Sequence, residues 1–159
     1  MKTIMRCLEC RLPISWGVHE FSQSIYGHSL CMRDQFLLEE SGASAHIIDL
    51  YLALKQRNFP FVLEYFDGYK QVDLALPGKL YIEINGSYYP ERFSVMPDLT
   101  SYIYSPEKNI PTIIIPDSSL ENKRSFFRTV EELSKACRVI LGNYSMSPST
   151  LAVQHVQLQ

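Results

Sequence analysis

Phe61-Val62-Leu63-Glu64-Tyr65-Phe66, Asp67-Gly68, Lys70-Gln71-Val72-Asp73-Leu74-Ala75-Leu76, Pro77-Gly78, Leu80-Tyr81-Ile82-Glu83-Ile84: read in that order, this run decides the fold. Its β-branched and aromatic residues suit a pleated, half-buried surface. The Asp-Gly and Pro-Gly pairs supply the backbone angles that tight turns demand. Val72, Leu74 and Leu76 alternate with Gln71, Asp73 and Ala75, the period of a strand. Three strands joined by two turns predict an antiparallel meander. Asn85-Gly86 closes it and leads into a polar loop from Ser87 to Phe93.

Outward from the meander the period changes. From Ala45 to Arg57, Ile47, Ile48, Tyr51, Leu52 and Leu54 fit a helix with one buried face, stopped by Asn58 and Pro60. On the other side, Leu99, Tyr102 and Ile103 predict a helix from about Pro97 to Tyr104, ended by Ser105-Pro106. Thr112-Ile113-Ile114-Ile115, between Pro111 and Pro116, reads as a fully buried strand. Ser118 or Ser119 then caps a long helix. Its apolar residues Phe126, Val130, Leu133, Cys137 and Ile140 recur every three or four positions, and Gly142 stops it. Cys137 lies on that stripe and is assigned to the core. The order is helix, three strands, helix, strand, helix: an α/β (α+β) fold with a mixed sheet and helices on both faces.

Ahead of this unit stand Cys7, Cys10, His28 and Cys31, two short ligand pairs using three of the four cysteines in the chain. Four soft or borderline ligands at the corners of a tetrahedron suit zinc. All four corners would come from protein, so the expected zinc is structural. His19 is the spare ligand nearby. The spacing resembles one half of a LIM finger, or a treble-clef or ribbon relative. Trp16 and Phe21 are expected in a small core between the pairs. Met32, Phe36 and Leu37 predict a short helix leaving the second pair. The expected organisation is a zinc finger over residues 1–40, a main domain over 41–144 and a tail over 145–159.

Composition narrows the classes. A chain of 159 residues with 46% hydrophobic and 12% aromatic content can bury a full core. No apolar run has the length to span a bilayer, and no apolar leader precedes Cys7. Thiols set out as a metal site fit a reducing compartment, so a cytoplasmic protein is expected, with no membrane partner. The net charge of −2 gives no global attraction to nucleic acid. Lys123, Arg124 and Arg128 share one predicted helix, where a solvated face accounts for them.

Asp73 and Glu83 lie on neighbouring predicted strands, and carboxylates there need solvent, a cation or a donor. The segments Lys70–Pro77 and Leu80–Gly86 that carry them resemble the PD-(D/E)xK nuclease superfamily, above all compact bacterial members related to very-short-patch repair endonucleases. The resemblance covers about two thirds of the chain and includes the order αβββαβα of restriction-endonuclease-like sheets. It implies a metal-dependent nuclease in which Asp73 and Glu83 hold magnesium, Ile84 adds its carbonyl, and Glu64 is an auxiliary ligand. The catalytic set would be Asp73, Glu83 and Asn85.

The chain departs from that pattern in places. Asn85 stands where relatives carry Lys or Asp, and Tyr88 and Tyr89 where some place a His. His46 and Asp49 are the candidates on the preceding helix, which often offers a Glu. Lys70, three residues before Asp73, falls on the opposite face by strand alternation, and Lys79 sits in a turn. Three functions stay open: a nuclease acting on nucleic-acid phosphodiesters; an inactive nuclease-fold protein binding nucleic acid or a protein partner through its finger; and, as against both of these, a zinc-dependent protein adaptor. For the adaptor, Trp16, Phe21 and Tyr26 are the candidate contact residues.

Overall fold

A computed structural model describes residues 4–84, 103–104 and 110–142 of the chain. Four helices accompany one mixed sheet. The helices are α1 (Trp16–Tyr26), α2 (Met32–Glu40), α3 (Ala45–Gln56) and α4 (Lys123–Ile140). The strands are β1 (Val62–Phe66), β2 (Gln71–Leu76), β3 (Leu80–Ile84), the two-residue β4 (Ile103–Tyr104) and β5 (Pro111–Ile115), in spatial order β1-β2-β3-β5-β4. No helix among the described residues is long and apolar enough to cross a membrane.

The meander folds as its turn pairs dictate, with β1, β2 and β3 antiparallel in sequence. Gly68 and Gly78 take φ of 93° and 72°, a left-handed region that glycine enters without a Cβ clash. β5 then joins β3 in parallel, Ile82 beside Ile113, which makes the sheet mixed. The helix expected over Pro97–Tyr104 ends instead as strand, since Ile103 and Tyr104 pair with Thr112 and Pro111. Its remaining residues, the loop from Ser87 to Phe93, and the tail all lie outside the described residues. Local periodicity over three apolar residues cannot separate a short helix from an edge strand; the cross-strand partner decides.

Leu74 and Leu76 of β2, Leu80 and Ile82 of β3, and Ile113 and Ile115 of β5 form one apolar face. They pack with Leu50, Leu52 and Leu54 of α3 and Val130, Leu133 and Cys137 of α4. Both helices thus serve the same face. The second cluster (Val72, Ala75, Tyr81 and Ile110, with Tyr65 against it) holds no helical residue among those described. The expectation of helices on both faces is corrected to that extent. Replacing Leu74, fully buried at 0% exposure, with Ala should cost about 2–5 kcal/mol through lost burial and the cavity left behind. Urea titration should show this as a lower midpoint with an unchanged slope.

Other expectations change in detail. Asn122, not Ser118 or Ser119, caps α4, its side chain accepting from Ser125 N–H at 3.0 Å. The serines belong to a 3-10 turn over Asp117–Ser119 that precedes the helix. Trp16 and Phe21 are 60% and 53% exposed, so neither forms a core; the buried residue of α1 is Ser22. On α2, Met32, Phe36 and Leu37 face outward while Asp34, Gln35 and Leu38 are buried. The helix is rotated from its apolar stripe because polar partners hold the other side. Gln35 Nε2 donates to the Leu30 carbonyl at 3.0 Å, and Asp34 meets two thiols.

The core extends into the N-terminal segment. Cys7, Leu30 and Leu38 belong to the same buried cluster as Leu50, Leu74 and Leu133. Lys55 of α3 pairs with Glu9 at 3.0 Å, and Arg11 donates to Asn58 Oδ1 at 3.2 Å.

Candidate functional site

Cys7 and Cys10 sit on a tight loop. Cys7 N–H donates to the Leu12 carbonyl at 2.9 Å, Arg11 N–H to the Cys7 carbonyl at 3.1 Å, and Arg11 takes φ of 61°. That left-handed residue turns the chain directly after Cys10. The facing pair comes from the start of α2. Cys31 is its N-cap, and Asp34 lies in its first turn, where the helix dipole favours negative ligands.

Ligand atoms of Cys7, Cys10, Cys31 and Asp34 all lie within 4.8 Å of one another, a group that could hold a metal. Cys10 Sγ and Cys31 Sγ are 3.8 Å apart. A tetrahedral ion with sulfur ligands at about 2.3 Å would set its sulfurs about 3.8 Å apart, so this edge fits. Asp34 Oδ2 accepts from the Cys7 thiol at 3.0 Å and the Cys31 thiol at 3.1 Å, and Cys31 N–H donates to Cys7 Sγ at 3.3 Å. Burial, helped by the Asp34 contact, pushes the Cys7 thiol up to about 12. Burial also works to raise the Asp34 carboxyl, but hydrogen bonds from Cys7 and Cys31 outweigh it and hold the group below its ordinary value. Divalent metal binding would replace thiol protons in this cluster.

His28 is not in that group. Its carbonyl accepts from Ser22 Oγ at 2.6 Å. Its side chain lines a cavity of about 460 Å³ with His46 and Asp49 of α3 and Lys123 and Phe126 of α4. Burial lowers its pKa, opposed by the charge of Asp49. The other histidine of the N-terminal segment, His19, meets Ser29 Oγ through Nδ1 at 2.8 Å. The residue that sequence reasoning missed is therefore Asp34. The sequence does carry a signal for it: Cys31-Met32-Arg33-Asp34 repeats the spacing of Cys7-Leu8-Glu9-Cys10.

The second constellation lies on the sheet. The β2–β3 ladder ends at Leu74 opposite Ile82; Asp73 and Glu83 follow just past that pair, and the charge of Glu83 reaches Asp73. There Ile84 N–H turns to Asp73 Oδ2 at 2.6 Å. On the other side of Asp73 is Glu64, between the pairs Leu63–Leu74 and Tyr65–Val72. Three carboxylate residues thus lie on three neighbouring strands. Glu64 takes φ of 49°, uncommon for a residue with a side chain. The core changes hands at this level: Leu63 and Leu74 join the first cluster, Tyr65 and Val72 the second.

Burial raises the Asp73 carboxyl, and the charges of Glu83 and Asp117 add to that; the Ile84 N–H and Lys70 act against it. Glu64 is raised by burial and then by Asp73. A carboxyl raised in the folded state contributes stability at low pH that is lost as pH rises through its folded value. Asp73→Asn should therefore melt higher than the native chain at pH 7 without divalent cations, by roughly 2–5 °C. The difference should vanish below about pH 4, where the native carboxyl is also neutral. Thermal melts across that range check it.

Lys70 Nζ pairs with Glu83 Oε1. Strand alternation had placed Lys70 on the opposite face. It fails because Lys70 precedes β2, which begins at Gln71, and belongs to the turn. Asp67 holds that turn, accepting from Tyr69 N–H and Lys70 N–H at 2.8 and 2.9 Å. Gln71 Nε2 donates to Glu64 Oε2 at 2.7 Å. Asn85 lies outside the described residues. Asp73 and Glu83 are hard oxygen donors, and a pair of carboxylates suits magnesium, which keeps several of its own waters. No family model, curated protein or solved structure matches this chain.

Proposed function

We propose that this chain is a metal-dependent nuclease acting on nucleic-acid phosphodiesters, with a structural zinc held by Cys7, Cys10, Cys31 and Asp34. The observation that carries the first part is the electrostatic neighbourhood of Asp73 and Glu83, with Glu64 beside Asp73, on the strand meander. The three carboxylates are partly buried, and burial first, then the charge of Glu83, raises Asp73. Buried carboxylates that repel one another favour a cation between them. Magnesium bound there would polarise a phosphate oxygen and acidify an attacking water. Ile84 belongs to the same reading: its N–H fixes the Asp73 carboxylate, and its carbonyl is the third ligand expected from the resemblance.

Zinc is the reading for the thiol cluster because thiolate ligands in tetrahedral array select it over the oxygen-loving cations. Four protein ligands leave it no open position, so its role is to fold the finger and not to react. The two metals are thus divided by donor chemistry, sulfur at the finger and oxygen on the sheet. The test is hydrolysis of single- and double-stranded DNA and RNA with magnesium or manganese, beside Asp73→Asn and Glu83→Gln. Binding of nucleic acid without cleavage under every metal would favour the inactive alternative.

A further inference from the structure

We propose that Lys70 is the counter-ion of this carboxylate site: it neutralises Glu83 in the metal-free chain and yields Glu83 to a divalent cation, which frees its ammonium for a phosphate oxygen. This rests on the reading of Asp73 and Glu83 as cation ligands. Lys70 is the described lysine paired with Glu83, and its charge also reaches Asp73. Lys70 therefore acts on both Glu83 and Asp73.

Its placement is built from the turn upward. Asp67 Oδ1 accepts from both Tyr69 N–H and Lys70 N–H, while Asp67 N–H donates to the Lys70 carbonyl at 3.1 Å. Tyr81 Oη anchors the other oxygen, Asp67 Oδ2, at 3.3 Å. The Lys70 backbone is thus fixed on both sides, and only the four-carbon stem can move. Its side chain is 39% exposed and that of Glu83 32%, so the pair sits where solvent reaches it. A solvent-exposed ion pair is weak. That weakness is the property a displaceable counter-ion needs.

The chemistry gives the exchange a direction. A carboxylate shared between an ammonium and a doubly charged ion goes to the higher charge when that ion also gathers Asp73. A lysine released on a flexible stem is a compact point charge suited to phosphate oxygens. The nuclease pattern that this sequence resembles puts a lysine two residues after the Glu, and this chain carries Asn85 there. Lys70 reaches the Glu from a different strand end.

The test is manganese affinity by isothermal titration on the full chain, zinc-loaded, for the native protein, Lys70→Gln and Lys70→Arg. It is paired with binding of a DNA oligonucleotide in calcium. Removing the competing ammonium should tighten manganese binding in Lys70→Gln by about 3–10-fold, while DNA binding in calcium weakens by a similar factor. Lys70→Arg should stay near native in both, since it restores the charge. Manganese affinity in Lys70→Gln that is unchanged or weaker than native overturns the proposal, as does absence of manganese binding in all three proteins. Tighter binding in Lys70→Gln without any cleavage by the native chain upholds Lys70 as the counter-ion and overturns only the nuclease reading.

Discussion

Asp34→Ala should lose zinc affinity by at least ~10²-fold, while His28→Ala should stay within about 3-fold of native. Asp34 Oδ2 lies 3.0 and 3.1 Å from the sulfurs of Cys7 and Cys31, so removing it would take one ligand from the proposed zinc site. Even groups that only orient a ligand are worth 10–100-fold, and a ligand itself is worth more. His28, against His46 and Asp49 in its own cavity, supplies no such ligand. Asp34→Cys should bind at least as tightly as native, because a fourth thiolate is a softer ligand than a carboxylate. Titration against a chromophoric chelator measures all three. Loss of zinc in His28→Ala, with retention in Asp34→Ala, would restore the ligand set read from sequence. Complete chelation of the native chain should abolish its cooperative melt, since structural zinc supplies folding free energy on the order of 10 kcal/mol.

The second large effect is expected at the sheet. Glu83→Gln and Asp73→Asn should each reduce magnesium-dependent hydrolysis by roughly 10²–10³-fold, the range found when one preorganised electrostatic group is removed from a reacting centre. Both substitutions keep size and a carbonyl oxygen, and the amide oxygen of Asp73→Asn can still accept from Ile84 N–H. Folding should therefore survive. Neutralising Asp73 removes a carboxyl that burial and neighbouring charges already raise, so this variant should gain stability as it loses activity. Opposite signs in the two readouts separate a site residue from a structural one. Cleavage that persists in Glu83→Gln would falsify the assignment of the reaction to this pair.

The meander was legible because its instructions are local. Asp67-Gly68 and Pro77-Gly78 carry turn geometry within two residues, and alternation from Val72 to Leu76 carries the face. α3 was equally plain, its end marked by Asn58 and Pro60. What sequence could not supply were choices made by distant partners. Ile103 and Tyr104 became strand because β5 offered an edge. α2 turned Met32, Phe36 and Leu37 outward because Asp34 and Gln35 had partners on the inner side. In the candidate metal group, three of the four expected ligands came together. The fourth member of that group is the carboxylate of Asp34, where the imidazole of His28 had been expected. Lys70 was set aside by applying a strand period to a residue still in a turn. That period had been extended one residue past the element it describes.

Cys7 has two employments at once. It is a candidate ligand and, at 0% exposure, part of the hydrophobic cluster that continues through Leu30 and Leu38 into the sheet. A finger hung on a linker could shed its ion and dangle while the rest of the molecule carried on. Here, with zinc bound as proposed, its loss would open the interior that Cys7 shares with the sheet and present the whole chain to proteases. The quantity governed by metal supply would then be how many molecules persist, and not how well each one works. Under scarcity such a protein fades from the cell as a population of intact molecules growing fewer.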